Sequence, residues 1–319
     1  MTTIRIGSRG SLLALWQADH VAAQLRAHGH AVEIEIIRTT GDRMSQPGFV
    51  PEPGLSGKGI FIKEIEDALA AGRIDLAVHS LKDLPTELDS RFTLAAIPPR
   101  ADARDAFVCE PYWALHTLPR NGRIGTSSPR RRAQLLALRP DIQFVDLRGN
   151  VDTRLRKLEA GECDALVLAC AGLDRLGRTQ SVHQRFEIDE LTPAPGQGAL
   201  ALETRSPEHA LDTDDPTRDP AILAAVSALD HAPTRFATAA ERAFLAAVGG
   251  GCELPLGAHC LASGHGWTLY AQILAPDGEQ CAQIALDSTP HESAAALGQR
   301  AAEELIRLGA LDLLAATTV

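Results

Sequence analysis

Residues 75–85 read Asp-Leu-Ala-Val-His-Ser-Leu-Lys-Asp-Leu-Pro, and this stretch decides the fold. Its first half is a short apolar run behind an acid, which predicts a strand buried on both faces of a sheet. Its second half gathers polar side chains before Pro85, which cannot donate to a strand ladder. Polar groups at the end of a buried strand are typical of ligand sites in α/β proteins, whereas the same residues taken alone could form a solvated loop. We therefore expect an α/β fold with a site that includes Ser80, Lys82 and Asp83.

The chain before this stretch alternates between strand and helix patterns. Residues 4–7 and 31–37 predict strands, and helical spacing follows each of them, the second time over residues 61–72. This alternation predicts a lobe with a parallel sheet. Residues 40–59 are rich in glycine and proline and lack periodicity, which predicts a long functional loop.

A second lobe repeats the first in outline. Residues 124–127 resemble residues 6–9, and residues 160–167 resemble residues 71–78. The Pro-Pro-Arg sequence at 98–100 indicates the boundary between the two copies. We expect two related α/β lobes that face each other across a cleft.

Beyond residue 220 the pattern changes again. Helical spacing over residues 221–229 and 234–248 precedes three predicted strands, at 258–262, 268–274 and 281–286, and a last predicted helix runs over residues 292–308. A run of strands flanked by helices predicts a small α+β domain at the carboxyl end of the chain.

Composition and charge exclude several classes of protein. The net charge of −10 argues against a general nucleic-acid binder, yet residues 120–157 hold nine arginines and one lysine against three aspartates. A basic segment in an acidic chain predicts a small anionic ligand. The sequence shows neither a signal peptide nor an apolar run that could span a membrane, and its six cysteines form no C-x-x-C pair. We expect a cytoplasmic protein with reduced thiols and no metal site.

The arginines of this segment gather at two predicted helix starts. A serine cap and Pro129 open a helix in which Arg130 and Arg131 follow at once, and such a helix start favours an anion. Arg148 lies at a second strand-to-helix turn with Asn150 as its expected cap, and Arg154 follows one helical turn further on. A single arginine is usually a surface charge, but several at adjacent helix starts predict an anion site. Phosphate and carboxylate both remain possible ligands, because no P-loop or G-x-G-x-x-G motif occurs.

Cys252 follows three consecutive glycines, which leave space around its sulfur. A helix C-cap followed by an incidental cysteine is one interpretation of this sequence. A thiolate on an uncrowded loop can also act as a nucleophile or as an attachment point. Since no histidine follows at a spacing typical of Cys-His hydrolases, attachment is the better hypothesis. Asp83 is the acid beside the predicted cleft that could accept N–H bonds from a ligand and stabilise positive charge in it.

Six stretches, in the same order along the chain, resemble the porphobilinogen deaminase (hydroxymethylbilane synthase) family. They are residues 57–61 (GKGIF), 79–85 (HSLKDLP), 125–128 (GTSS), 147–151 (LRGNV), 193–199 (PAPGQGA) and 250–257 (GGCELPLG). The resemblance covers nearly the whole chain, and its combined specificity is high.

The resemblance implies a transferase that joins four porphobilinogen molecules head to tail, releases ammonia at each step and hydrolyses the product to hydroxymethylbilane. It implies a dipyrromethane cofactor held by a thioether to Cys252, and it makes Asp83 the central catalytic group. It further implies cofactor contacts from Lys58, Ser80, Lys82, Asp83, Thr126, Ser128, Arg130 and Arg131, and substrate contacts from Arg9, Ser11, Ser127, Arg148, Arg154 and Gln197. The carboxylate arms of porphobilinogen would explain the arginines.

The fold that the resemblance implies is two periplasmic-binding-protein-like α/β lobes around a cleft plus a small α+β C-terminal domain. Lobe 1 is then discontinuous and comprises residues 1–98 and 196–226, lobe 2 comprises residues 99–195, and the third domain, with Cys252, comprises residues 227–319. Some relatives have a lysine near the position of Gly54, and relatives often have a leucine at that of Pro129.

Two other classes of protein remain open. A two-lobed solute-binding protein would explain the cleft and the arginines, but it would not explain the loop that carries Cys252. A nucleic-acid or effector-binding regulator would explain the basic helix after Pro129, but no helix-turn-helix or aromatic platform accompanies it. We expect a monomer that binds porphobilinogen and neither nucleic acid nor membrane.

Overall fold

The computed structural model describes residues 3–40, 62–211, 215–250, 254–264 and 266–315. The chain divides into two compact units, Met1–Arg100 with Ala199–Arg235 and Ala101–Gly198 with Phe236–Val319. The predicted loop at 40–59 lies, after Thr40, outside the described residues, as do Gly54, Lys58 and Cys252. Within the described ranges, no helix has the length and apolar character needed to cross a membrane.

The elements are numbered in chain order. The strands are β1 (Ile4–Ser8), β2 (Val32–Ile36), β3 (Leu76–Ser80), β4 (Phe92–Ala96), β5 (Asp105–Val108), β6 (Arg123–Gly125), β7 (Gln143–Val145), β8 (Ala165–Ala169), β9 (Gln184–Arg185), β10 (Leu200–Arg205), β11 (Leu256–Ser263), β12 (Gly266–Leu274) and β13 (Cys281–Asp287). The helices are α1 (Leu12–Ala27), α2 (Lys63–Ala70), α3 (Pro129–Leu138), α4 (Val151–Glu159), α5 (Cys170–Arg175), α6 (Arg218–Ser227), α7 (Ala232–Ala247), α8 (Ala294–Arg307) and α9 (Ala310–Ala315).

The first unit is built on a five-stranded sheet of order β2-β1-β3-β10-β4. Strand β1 runs parallel to β2 and β3, whereas β10 runs antiparallel to both β3 and β4. Helices α1 and α6 contribute to one apolar core with Leu76 and Val78, and α2 contributes to another with Ala77. Since alternate residues of β3 belong to different cores, this strand is buried on both faces, as its sequence predicts.

The second unit contains a sheet with the same arrangement, in the order β7-β6-β8-β5-β9. Strand β6 runs parallel to β7 and β8, and β5 takes the antiparallel position that β10 has in the first sheet. A separate antiparallel sheet, β11-β12-β13, shares an apolar core with residues of α7 and α8. The predicted fold class is therefore confirmed: there are two α/β lobes and a small α+β part. The cleft and the three predicted domain boundaries stay predictions.

The internal repeat is confirmed by two matching hydrogen-bond patterns. In the first lobe, the backbone N–H and the guanidinium of Arg5 donate to Asp75 at 2.8–3.0 Å. In the second lobe, Arg123 donates to Asp164 through the same atoms at 2.8–3.3 Å. Each pair joins an arginine of one strand, β1 or β6, to the residue before the parallel strand beside it, β3 or β8, so the two lobes share a local design.

Asp75 differs from its counterpart because its side chain is fully buried, whereas that of Asp164 is 37% exposed. It also accepts from Arg218 Nη2 at 2.7 Å and from Arg205 Nη2 at 3.3 Å. Burial alone would raise the pKa of Asp75, but the hydrogen bonds and charge of Arg5 hold that pKa below its usual value. The ionised carboxylate thus joins β1, β10 and α6 at one edge of the sheet.

We expect Asp75→Asn to lower the free energy of unfolding by about 3–5 kcal/mol, because it leaves three guanidiniums, of which that of Arg205 is buried, without their shared counter-charge. The matched control is Asp164→Asn, which removes the equivalent but partly exposed carboxylate and should cost about 0–1 kcal/mol. Urea unfolding followed by circular dichroism measures both. Equal losses for the two variants would contradict the role given to burial.

Candidate active site

Polar residues gather at the carboxyl edge of the first sheet. Strands β1 and β3 are parallel neighbours, so both end at this edge. Arg9 follows the end of β1, Ser80 ends β3, and Lys82 and Asp83 lie in the 3-10 turn Leu81–Asp83 that follows. The structure therefore brings these four predicted site residues to one edge of one sheet.

The turn that carries Asp83 is fixed by its apolar neighbours. Leu81 and Leu84 are buried on either side of it, while Asp83 itself is exposed. The N–H of Leu81 donates to the carbonyl of Ala199 at 3.0 Å, and the N–H of Leu84 donates back to Leu81 at 3.2 Å. The accessible carboxylate of Asp83 thus lies on a turn whose backbone is fixed by the buried Leu81 and Leu84 and by these two hydrogen bonds.

Helix α1 supplies two further groups to this edge. Ser11 is its N-cap and accepts from the N–H of Ala14 at 3.3 Å. Gln17, buried on the same helix, donates its amide N–H to Ser80 Oγ at 3.0 Å, which leaves the hydroxyl hydrogen of Ser80 free to be donated elsewhere. Sequence reasoning missed Gln17, although an amide among the buried positions of an amphipathic helix is a signal that could have found it.

A buried acid–histidine pair lies on β3 and β10. His79 Nε2 is 3.1 Å from Glu203 Oε2, and Glu203 is fully buried. Glu66 on α2 is half-buried, and its burial, followed by the nearby charge of Glu203, raises its pKa to about 7. His79 immediately precedes Ser80, so this pair lies one residue from the polar edge.

The carboxyl edge of the second sheet carries the next group of predicted residues. Strands β6 and β7 are parallel and are followed by Thr126 and by the 147–150 turn, respectively. Ser128 caps α3 by accepting from the N–H of Arg131 at 3.4 Å, and Thr126 Oγ1 accepts from the N–H of Ser128 at 3.2 Å. Thr126 is buried and Ser127 is exposed, so only the latter hydroxyl faces solvent directly.

The second turn at this edge presents Arg148 and Arg154. The side chain of Arg148 is 82% exposed, and Arg154 Nε donates to the carbonyl of Gly149 at 2.9 Å. Gly149 has φ +119°, and a Cβ there would lie 2.8 Å from Thr153 Cγ2, so the turn requires glycine. The exposed Arg148 guanidinium can reach an anion from solvent.

Arg130 and Arg131 are buried, whereas an anion site on the surface would expose their guanidiniums to solvent. Their side chains are only 5% and 7% exposed, and both contact the fully buried carboxylate of Asp105. Burial, together with the neighbouring charge of Arg131, lowers the pKa of Arg130. Sequence reasoning missed Asp105, because nothing in its own neighbourhood marks it as the partner of arginines some 25 positions away.

Gln197 belongs to the same buried group. Its amide donates to Asp105 Oδ1 at 3.1 Å and to the carbonyl of Ala103 at 2.7 Å. The turn around it is tight, since Gly198 has φ +86° and a Cβ there would lie 2.6 Å from the carbonyl oxygen of Ala101. Gln197 is therefore fully buried in contact with the arginine cluster through Asp105.

Arg175, which ends α5, was also missed by sequence reasoning. Its Nη2 donates to the carbonyl of Gly198 at 2.7 Å, and burial lowers its pKa to about 10. The described residues contain no group of three or more histidine, cysteine or acidic side chains that could hold a metal ion. Cationic and hydroxyl groups predominate instead, and they suit a ligand with several carboxylates.

Two family models match the chain. One is described as "Porphobilinogen deaminase, dipyromethane cofactor binding domain" and matches residues 4–213, and the other as "Porphobilinogen deaminase, C-terminal domain" and matches residues 236–307. The porphobilinogen deaminase of Xanthomonas euvesicatoria pv. vesicatoria (strain 85-10) is 45% identical over 318 residues, which cover 99% of each chain. That of Roseiflexus castenholzii (strain DSM 13941 / HLO8) is 45% identical over 315 residues, which cover 98% of this chain and 99% of the relative.

Among solved structures, a periplasmic substrate-binding protein of an ABC transporter from Coxiella burnetii is similar to 75% of this chain and 96% of its own. Its sequence identity to this chain is 15% and the TM-score is 0.42.

The two α/β lobes, with an exposed acid at one sheet edge and arginines at another, define an enzyme-like protein for a polyanionic ligand. The chain belongs to the porphobilinogen deaminase family. It is therefore a transferase of tetrapyrrole synthesis that polymerises porphobilinogen and uses a dipyrromethane cofactor.

The pKa of Glu66 generates a prediction about stability. Between the usual carboxyl pKa and about 7, Glu66 keeps its proton in the folded chain and loses it in the unfolded chain. The free energy of unfolding should therefore fall as pH rises from the usual carboxyl pKa to about 7, and Glu66→Gln should reduce that fall. Urea midpoints measured between about pH 5 and pH 8 test this.

The matched control is Asp67→Asn, which removes an exposed acid from the same helix and should leave the pH dependence unchanged. A Glu66→Gln variant with the pH dependence of the parent chain would show that Glu66 titrates at its ordinary pKa.

Proposed function

We propose that Asp83 is the catalytic group of the polymerisation. The observation that carries this proposal is the exposed carboxylate on a turn clamped by Leu81 and Leu84 at the carboxyl edge of the first sheet. A carboxylate in that position can accept N–H bonds from a pyrrole and stabilise the positive charge that develops when the substrate loses its amino group. Lys82 and Ser80 lie beside it and can donate to the acidic arms of the same ligand.

The arginines and hydroxyls of the second lobe are proposed to bind the carboxylate arms. Arg148 presents an exposed guanidinium, and Arg154 lies on the helix that follows it. Ser127 is exposed at the end of β6, where helix α3 begins. In the first lobe, Arg9 and Ser11 have the corresponding position at the start of α1. Each of these groups can bind a carboxylate, and a pyrrole chain gains two carboxylates with each added unit.

We propose Cys252 as the point of attachment of the dipyrromethane, which supplies the primer to which porphobilinogen units are added. The support is the three glycines before it and the resemblance of residues 250–257 to the family, whose cofactor-domain model matches residues 4–213 and does not include Cys252. Lys58 is proposed as a further contact on the same grounds of resemblance. The domain boundaries given above are part of this proposal.

A monomer in the cytoplasm is the proposed working form. The support is the six cysteines, which form no C-x-x-C pair and suit reduced thiols, and the monomeric state that the resemblance implies. Light scattering on the purified chain tests the first part, since a mass of 68 kDa instead of about 34.0 kDa would show a dimer.

We expect Asp83→Asn to retain the fold and to lower the turnover of porphobilinogen by about a hundredfold or more, because the variant loses the charge that stabilises the cationic transition state. The matched control is Asp89→Asn. Asp89 lies six residues after Asp83 and is an exposed acid that accepts a hydrogen bond from Arg91. Product formation is followed by absorbance after oxidation to porphyrin. Full turnover by Asp83→Asn would remove this residue from the mechanism.

We expect Cys252→Ser to lack the covalent cofactor, because a hydroxyl is a much poorer nucleophile than a thiolate. Intact-protein mass spectrometry should show the parent chain heavier than its sequence by two porphobilinogen units less their ammonia, and the variant at its sequence mass. Cys281→Ser, which removes an exposed cysteine elsewhere in the chain, is the control and should keep the added mass. Added mass on Cys252→Ser would move the attachment elsewhere.

A further inference from the structure

Asp105 is the first residue of β5, and its carboxylate is the centre of a buried cluster. Arg131 donates to Oδ1 through Nε at 3.0 Å and through Nη2 at 2.6 Å, and Arg130 Nη2 lies 2.8 Å from Oδ2. The amide of Gln197 reaches Oδ1 at 3.1 Å. One carboxylate thus fixes three side chains that come from two separate segments of the chain.

The carboxylate does not neutralise the cluster. Two guanidiniums face one acid, which leaves one net positive charge among side chains that are at most 7% exposed. Arg130 also donates from Nη1 to the carbonyl of Thr192 at 2.7 Å, and this acceptor carries no charge. Among the described residues, Arg130 Nε and Arg131 Nη1 have no hydrogen-bond acceptor. Unused donors on a buried cation are places where an anionic ligand is stabilised.

We propose that Asp105 is a positioning residue for the carboxylate-binding arginines. It holds the guanidiniums of Arg130 and Arg131 in place, so that their remaining N–H groups can donate to one ligand carboxylate and their excess positive charge can stabilise it. The proposal rests on the proposed function in one respect, namely that the ligand is an acidic arm of the pyrrole chain. The geometry of the cluster does not depend on that assignment.

A purely structural ion pair is the competing interpretation. It would need a negative charge near the arginines but no particular placement of the guanidiniums. Asp105→Glu separates the two interpretations, because it keeps the charge and moves the carboxylate by one methylene. Asp105→Asn keeps the shape and removes the charge.

The experiment measures how much porphobilinogen the apo chain needs to acquire its cofactor. Each variant is purified without cofactor and titrated with porphobilinogen, and the concentration for half-maximal added mass is read by mass spectrometry. Thermal midpoints of the same samples report folding. The matched control is Asp102→Asn. Asp102 lies three residues before Asp105, and its half-buried carboxylate accepts hydrogen bonds from Arg104 and Arg185.

We expect Asp105→Asn and Asp105→Glu to raise the half-loading concentration by about ten- to a hundredfold, the range seen when residues that orient a ligating group are lost. Asp102→Asn should load like the parent chain. In an Arg131→Gln background, Asp105→Glu should have a smaller effect on loading, because one of the two arginines through which Asp105 acts is already gone.

Two results would overturn the proposal. One is an Asp105→Glu variant that loads like the parent chain, which would leave only a structural charge. The other is an equal effect of that substitution with and without Arg131. If instead the parent chain and Asp102→Asn gain no mass from porphobilinogen, the proposed function fails and not the role of Asp105. If Asp105→Asn does not fold, the Asp105→Glu comparison decides alone.

Discussion

The buried carboxylate of Asp75 is the constraint on which the first unit depends. It precedes β3, and its arginine partners come from β1, β10 and α6, so one ionised group joins three strands and a helix. Arg205 extends the network, because it also donates to the carbonyls of Leu69 and Ile74 and to Asp219. A buried charge with this many partners cannot move without leaving one of them unpaired, which fixes the register of β3.

This arrangement separates stability from chemistry along a single strand. Asp75 lies at the amino end of β3, and Ser80 and the turn with Asp83 lie at its carboxyl end. The ion-pair network therefore anchors the edge opposite to the one that carries the polar groups. The four residues between these ends, Leu76 to His79, are all buried, so they form a rigid connection between the ion pairs and the turn. An exposed carboxylate can be placed precisely on a turn only because the strand beneath it does not slip.

The antiparallel strand in each sheet explains why Asp105 lies where it does. Because β5 runs opposite to β8, its first residue pairs with Ala169, the last residue of β8. An acid at the start of this strand is thus brought to the carboxyl edge, beside α3 and the arginines at its first turn. The equivalent strand of the first sheet pairs Leu200 with Ser80 in the same way, but it carries no acid at that position.

The sequence predicts what depends on local pattern. The helix caps Ser128 and Asn150, the buried strand β3 and the internal repeat are all confirmed, because each follows from periodicity or from side chains within a few residues. The burial of Arg130 could not be predicted in this way. It depends on a carboxylate that only the sheet topology brings close, and arginine is taken as a surface residue when its partner is unknown.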